Sequence, residues 1–521
     1  MKTNRLNLIK TFHFLILAIG LVGSTALYAQ TPVIQWQKSL GGPASDQGNS
    51  VQQTSDGGYV MAGKSSSNSG DVSGNHGSVD VWVVKVNASG VLQWQNSLGG
   101  PGVDSCQEIR TTEDGGYILV GTSNENGGDV TGNHGLQDVW VVKLDAGGNL
   151  QWQKSLGGSQ DDLGEGIQQT ADGGYVLTGS SKSNDGDVSV NQGLTDIWVV
   201  KLSNIGNIEW QRTYGGSASD SAESIQQTTD GGYVIAGTTS SVNGQISGQH
   251  GGTDYWVFKI NTVGSLQWQN ALGGTNLDFG NSIEQTNDGG YIVTGSSTSN
   301  DGDVTGNNGS HDLWVTKLNP NGSLQWQHAL GGSDVDVGYD IHQTNDGGYI
   351  VAGQTNSNNG DVSGLHGDED YWVVRLNTTG DLLWQKTLGG TLRDARSTIE
   401  TTLDGGYVVF GFSNSTDGDV TGNHGASDFW VVKLGHDPLA ISDFNAVKTK
   451  LFPNPTAGLL QIKSQEVIAK VLVFNLLGQP LLEQSIDATE TTINLEAFTS
   501  GTYLVQITTN HKTLTYQINK Q

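Results

Sequence analysis

Hydrophobic and polar positions alternate along most of this chain in short runs, and clusters of Gly, Asn and Asp bound each run, as for β-strands joined by tight turns. The first complete unit holds four runs: NSVQQT from Asn49 (A), GYVMAG from Gly58 (B), DVWVVKV from Asp80 (C) and VLQWQNSL from Val91 (D). Runs B and C are apolar almost throughout, the pattern of strands covered on both faces. Run D alternates Leu92 and Trp94 with Gln93 and Gln95, which predicts an outer edge strand with one side in water. The A–B link Asp56-Gly57-Gly58 and the C–D link Asn87-Ala88-Ser89-Gly90 read as tight turns.

This unit recurs without insertion or deletion. The tetrapeptide Asp-Gly-Gly-Tyr begins at Asp56, Asp114, Asp172, Asp230, Asp288, Asp346 and Asp404, a constant step of 58 residues. All 14 Trp keep the same period, in a D-run set from Trp36 to Trp384 and a C-run set from Trp82 to Trp430. Four antiparallel strands per unit, repeated seven times, predict an all-β, seven-bladed β-propeller with 58-residue blades over residues 30–435. The ends predict closure: the first run is a D run, VIQWQKSL from Val33, and the last is a C run ending at Leu434. The seventh blade is complete only if the N-terminal strand pairs with the last one, which leaves no open sheet edge. Trp36 and Trp430 are then expected on adjacent strands.

The repeats resemble a bacterial seven-bladed propeller repeat family whose units read roughly GGxxxDxxxxI…DGGYIVxGxTxS. This chain carries that pattern as GGSDVDVGYDIHQTNDGGYIVAGQTNS from Gly331. The resemblance implies the fold and hardly any function, because propellers host many unrelated activities.

Composition changes the picture in three ways. Glycine contributes 76 of 521 residues against 8 Pro, with no triplet period, which excludes collagen and fits a turn-rich fold. The 25 basic and 52 acidic residues give a net charge of −27, which argues against nucleic acid or an anionic membrane as partner. Residues 1–29 read as a secretory signal peptide: Lys2, Arg5 and Lys10 precede an apolar run from Phe12 to Val22, and small residues lead to Ala29. No later run is apolar and long enough to span a membrane as a helix, so no transmembrane segment is expected in the mature chain. The single Cys106 allows no internal disulfide and reads as a small space-filler, since most other copies have Gly or Ala there.

The candidate chemistry lies on loops. In a meander the B–C and D–A loops share one face, and nearly all non-strand length is placed there. That face is acidic. The D–A loops carry Asp46 and its equivalents, the B–C loops end at Asp80 and its equivalents, and six B–C loops carry Asp71, Asp129, Asp187, Asp303, Asp361 and Asp419. The last six are candidate Ca²⁺ ligands, although the alternate-position order of a calcium loop is absent and turn capping explains the same residues. Copy four has Gln245 at that position. His76, His134, His250, His366 and His424 recur on the same loops, with Gln192 and Asn308 in the other two copies. Amides at those positions favour surface hydrogen bonding to a ligand over metal ligation or base catalysis. Copy seven departs from the repeat at Arg393 and Arg396, beside Asp394, a candidate anion or carboxylate site near the pore, or a local ion pair with Asp394. The recurrent Lys85 and its equivalents read as structural ion pairs or snorkelling cations.

After Leu434 the repeat stops. Residues 436–448 read as a linker, and 449–521 show short alternating strands LLQIKS, AKVLVFN, LVQITT and LTYQIN, which predict a small Ig-like β-sandwich. This segment resembles the type A C-terminal sorting domain of the type IX secretion system in Bacteroidetes-like bacteria. The matching pieces are LFPNPTAGLLQI, with Pro453, Asn454, Pro455 and Gly458; VFNLLGQPL, with Gly478; and LEAFTSGTYLVQI, with Gly501 and Tyr503. The resemblance implies the type IX secretion machinery as a partner, export across the outer membrane, removal of the tail, and release or cell-surface attachment. Together these features favour a secreted or surface binding and adhesion module with a glycan or protein ligand on the loop face. A surface glycan hydrolase or lyase is the second expectation, and a purely structural surface component the third.

Overall fold

A computed structural model of the chain describes residues 31–437, 450–453, 455–475, 479–509 and 513–521. They belong to two units, Met1–Pro438 and Leu439–Gln521. The expected signal peptide and most of the expected linker lie outside the described residues.

In the first unit the repeated runs become strands. The opening ones are β1 (Ile34–Leu40), β2 (Asp46–Gln53), β3 (Tyr59–Ser65), β4 (Asp80–Val86) and β5 (Leu92–Leu98), and the pattern continues to β28 (Asp428–Leu434). Strands β2 to β5 pair in chain order as one antiparallel sheet, and five further sheets repeat this arrangement. A seventh sheet joins the two ends of the unit in the order β1, β28, β27 (Tyr407–Ser413), β26 (Asp394–Thr401). In it Ser39 faces Trp430 and Trp36 faces Lys433, so the two tryptophans lie on adjacent strands as expected.

The sheets pack in a propeller-like arrangement. Their first strands touch in cyclic order: β2, β6 (Asp104–Thr111), β10 (Asp162–Gln169), β14 (Asp220–Gln227), β18 (Asp278–Gln285), β22 (Asp336–Gln343), β26 and back to β2. The strands equivalent to β3 and β4 are buried almost throughout because neighbouring sheets cover both faces. One apolar cluster joins Met61, Trp82 and Val84 of the first sheet to Phe410, Phe429 and Val431 of the last. Each D-run tryptophan packs on the Asp-Gly-Gly-Tyr tyrosine of the next sheet, from Trp94 on Tyr117 (centroids 5.8 Å apart) around to Trp36 on Tyr59 (5.8 Å).

The A strands start three residues before the expected Asn49, at Asp46. The Asp46 N–H donates to the Ser427 carbonyl of the preceding sheet at 2.7 Å, and Asp46 pairs with Ser65 in the ladder. The Asp46-type and Asp80-type carboxylates, expected on an acidic loop face, are therefore strand-initial and fully buried.

In the second unit, β29 (Lys450–Phe452), β30 (Leu459–Phe474), β31 (Pro480–Asn494), β32 (Gly501–Thr509) and β33 (Thr513–Lys520) share one five-stranded sheet. The expected LLQIKS and AKVLVFN strands are a single strand, β30, with a register irregularity between Lys463 and Ile468. Its apolar core gathers Leu460, Ile462, Val471, Val473, Val505 and Ile507.

Candidate functional site: the central channel

Side chains from all seven innermost strands line one cavity of about 280 Å³. Strand polarity dictates this placement. Each A strand pairs with a B strand on one edge only, and its other edge borders the channel. A bulge between Gly48 and Ser50 leaves Asn49 out of the ladder, and Asn49 and Gln52 both line the cavity. At these positions the sevenfold repeat breaks down. One tier carries Asn49, Gln107, Glu165, Glu223, Asn281 and Tyr339, and a second carries Gln52, Arg110, Gln168, Gln226, Glu284, His342 and Glu400.

Most charges in the channel are paired. Arg110 contacts Glu108 at 2.5 Å, and His342 contacts Glu284 at 2.8 Å and Asp340 at 3.5 Å. Burial opposes charge on His342, yet Asp340 and Glu284 raise its pKa well above the usual imidazole value. Asp340 falls to about 2 in spite of burial, held down chiefly by His342. Gln52 donates to Glu400 at 2.7 Å. Glu165 and Glu223 behave differently. The surrounding channel wall desolvates both, although the Glu223 side chain still meets the lumen, and for Glu165 the neighbouring Glu223 adds to the effect. Both carboxyls are pushed up, while Arg396 works against the rise. A carboxylate raised by the charge of its neighbour favours retaining a proton at the pair.

Arg396 reaches the channel through an unusual backbone. Its φ of 58° is the one positive value at a non-glycine position among the described residues, and the six other copies place Gly, Ala or Cys there. Gln354 Oε1 accepts the Arg396 N–H at 3.2 Å, and Ser397 Oγ donates to the Gly353 carbonyl at 2.5 Å. The guanidinium lies 6.0 Å from the Tyr339 ring centroid.

The other expected site residues are dispersed. Arg393 lies outside the channel, pairs with Glu369 at 2.5 Å and sits 5.4 Å from the Phe412 centroid. Its expected partner Asp394 is buried and accepts instead from the Gly390 N–H and Ser415 Oγ. His76, His134, His250, His366 and His424 each place Nδ1 2.7–3.1 Å from the buried Asp four residues later. Their backbone N–H groups bond the same carboxylates, and Gln192 and Asn308 preserve that backbone bond. The exchange of His with amides follows, because the main chain makes the contact common to all copies.

Asp71, Asp129, Asp187, Asp303, Asp361 and Asp419 accept the N–H of Gly41, Gly99, Gly157, Gly273, Gly331 and Gly389 at 3.2–3.4 Å. Gln245 takes the equivalent N–H of Gly215 at 3.0 Å. Among the described residues, no three His, Cys, Asp or Glu side chains are grouped as a metal site. Of the tail motif, Asn454 and Gly478 lie outside the described residues. Pro453 follows β29, Gly501 opens β32, and Tyr503 donates from its hydroxyl to the Thr499 carbonyl at 2.8 Å. Cys106 is buried, and burial pushes its thiol pKa up.

The channel tiers escaped the sequence reading, although the signal was present: A-run polar positions vary in charge between copies whose other positions are nearly constant. With this geometry in place, the chain is a propeller-like repeat body carried by a secretion-sorting tail. Residues 450–521 match the secretion system C-terminal sorting domain family, which marks the chain for type IX export to the cell surface or beyond and for contact with that machinery. No curated protein matches the chain. Among solved structures it is similar to PorZ, an essential bacterial surface component of the type-IX secretion system of Porphyromonas gingivalis, at 12% identity and TM-score 0.39 over 90% of this chain. This chain spans 58% of the PorZ chain. It is also similar to a putative gluconolactonase, at 14% identity and TM-score 0.32 over 63% of this chain and 88% of that one. A third is the NanB sialidase from Streptococcus pneumoniae, at 9% identity and TM-score 0.36 over 78% of this chain and 70% of that one. No helix in the described residues is long and apolar enough to cross a membrane.

Proposed function

We propose that residues 30–435 form a closed seven-bladed β-propeller that acts as a binding and adhesion module at the bacterial surface or in the medium, with its ligand site in the central channel. Residues 449–521, as an Ig-like sorting domain, deliver it there after a signal peptide at 1–29 has taken it into the periplasm. The observation that supports the binding role is the concentration of copy-to-copy charge variation in the channel. Repeated residues build the scaffold, and a site for one ligand requires residues that are not repeated. The Glu165–Glu223 pair also supports a second reading, a glycan hydrolase or lyase, because two carboxyls of unlike protonation can act as acid and base.

A glycan and protein array probed with the full chain separates these readings. Binding without turnover, lost on changing the channel residues, is the expected result, whereas turnover supports the enzyme. Silence on the array leaves the structural role. Deleting residues 449–521 is expected to retain the protein in the periplasm, detected by fractionation; unchanged export would overturn the sorting role.

A further inference from the structure

Most polar groups around the channel have partners within the protein, and the exceptions fall together. Among the described residues no hydrogen bond or ion pair meets the Glu223 carboxylate, which is exposed to the lumen, and Glu165 is met by Gln107 alone, at 2.9 Å. Among the described residues the Arg396 guanidinium likewise has no hydrogen-bonded partner; it lies near the Tyr339 ring and within electrostatic reach of Glu165, Glu223 and Lys64. A left-handed arginine persists only where the surroundings hold it, and such strain concentrates at functional positions. Here the strained residue supplies the positive group in the part of the lumen that Glu165 and Glu223 make negative.

We propose that the channel binds a small zwitterion, a compound of the amino-acid or short-peptide class, with its ammonium group on Glu165 and Glu223 and its carboxylate on Arg396 beside Tyr339. This rests on the channel being the ligand site. The opposed charges decide the class. A simple cation would satisfy the two carboxylates and meet repulsion from Arg396, and a simple anion would face the reverse. A zwitterion replaces water at both poles with charge-assisted hydrogen bonds. A volume of about 280 Å³ suits a ligand of this size.

The test is calorimetric titration of the full chain with glycine, L-lysine and L-glutamate as zwitterions, putrescine as cation, succinate as anion and N-acetylglucosamine as neutral sugar. Two variants accompany the wild type: Glu223→Gln, and Arg396→Gly, which installs the residue of most other copies and is compatible with the backbone. The expected result is binding of at least one zwitterion, weakened roughly tenfold or more by each variant (on the scale of one lost charge-assisted contact), with both variants melting no lower than wild type. Preference for putrescine or succinate, or zwitterion affinity unchanged in both variants, would overturn the charge assignment. Sugar binding that the variants abolish would overturn the zwitterion and leave the channel as a binding site. Array ligands bound equally by both variants would remove the channel itself.

Discussion

Asp56 shows why Asp-Gly-Gly-Tyr survives in seven copies. Its Oδ1 accepts from Thr54 Oγ1 at 2.5 Å and from the Gly58 N–H at 2.9 Å, which shapes the turn, while Gly57 takes a φ of 80° that a side chain would resist. Its Oδ2 lies 3.0 Å from Lys85 Nζ, whose side chain is only 5% exposed. The tetrapeptide and the lysine after the C-run tryptophan are thus two halves of one clamp, repeated through Lys433 with Asp404. The sequence shows both halves and their shared period but not the pairing, because they stand 29 residues apart. Removing the carboxylate leaves a buried ammonium with only neutral acceptors. Asp56→Ala is therefore expected to cost about 1–3 kcal/mol, read from urea unfolding, and Lys85→Met together with Asp56→Ala to recover part of it. A double variant no more stable than Asp56→Ala would refute the clamp.

At the scale of the element, ring closure was legible and its reinforcement was not. Counting runs shows an orphan D run at one end and a missing D run at the other, so the pairing of β1 with β28 follows from arithmetic. Residues 436 and 437, however, read as the start of a linker, and the structure gives Asp437 a closing role. Its carboxylate accepts from Arg375 Nε at 2.9 Å, Tyr407 OH at 3.0 Å and Trp384 Nε1 at 3.1 Å. This accounts for Arg375 where six copies have Lys: a guanidinium reaches Asp346 and Asp437 together. Other copies present the next C–D turn to that tryptophan, as Ala88 does to Trp36, and here no such turn follows β28. The single unmatched Arg was the only trace in the sequence. β31 was missed because Glu483, Asp487 and Glu490 interrupt its apolar pattern, and the channel was missed because charge variation at A-strand positions carries no periodic signal. Asp437→Ala is expected to lower stability by about 1–3 kcal/mol and to make Arg375→Lys, costly in the wild type, nearly neutral in its background; additive losses would show that the two residues do not act together.

Across the seven sheets the Asp46-type and Asp80-type carboxylates are buried where neighbouring sheets meet. In front of Gly41 the Oδ1 of Asp428 and the Oδ2 of Asp46, from adjacent sheets, both lie 2.7 Å from the point a Cβ would occupy, and both residues are fully buried. The same meeting recurs around the ring, and Oδ1 of Asp80, Asp138, Asp196, Asp254, Asp312, Asp370 and Asp428 is buried without a hydrogen-bond partner. Burial accordingly raises Asp196, Asp312 and Asp394 to about 6 and moves Asp104, Asp138, Asp254, Asp336, Asp370 and Asp428 upward. A carboxyl with a raised folded pKa contributes stability that is complete below its unfolded value near 3.8 and is lost as pH rises through its folded value. The clamp carboxylates run the opposite way: Thr54 and Lys85 lower Asp56 to about 2, and Lys259 lowers Asp230 to about 2, so their contribution is complete above 3.8 and is lost as pH falls towards 2. The two sets place maximum stability between the windows. Thermal melting is expected to rise as pH falls from 7.5 to about 5 and to drop again below about 3.5. Asp196→Asn supplies the control, because a neutral isostere at a position that prefers to be neutral keeps the melting point at pH 7.5 or raises it and flattens part of the slope above pH 5. A melting point that falls steadily from pH 7.5 to 5 would mean that these carboxylates are ionised in the fold and neutralised by something other than a proton.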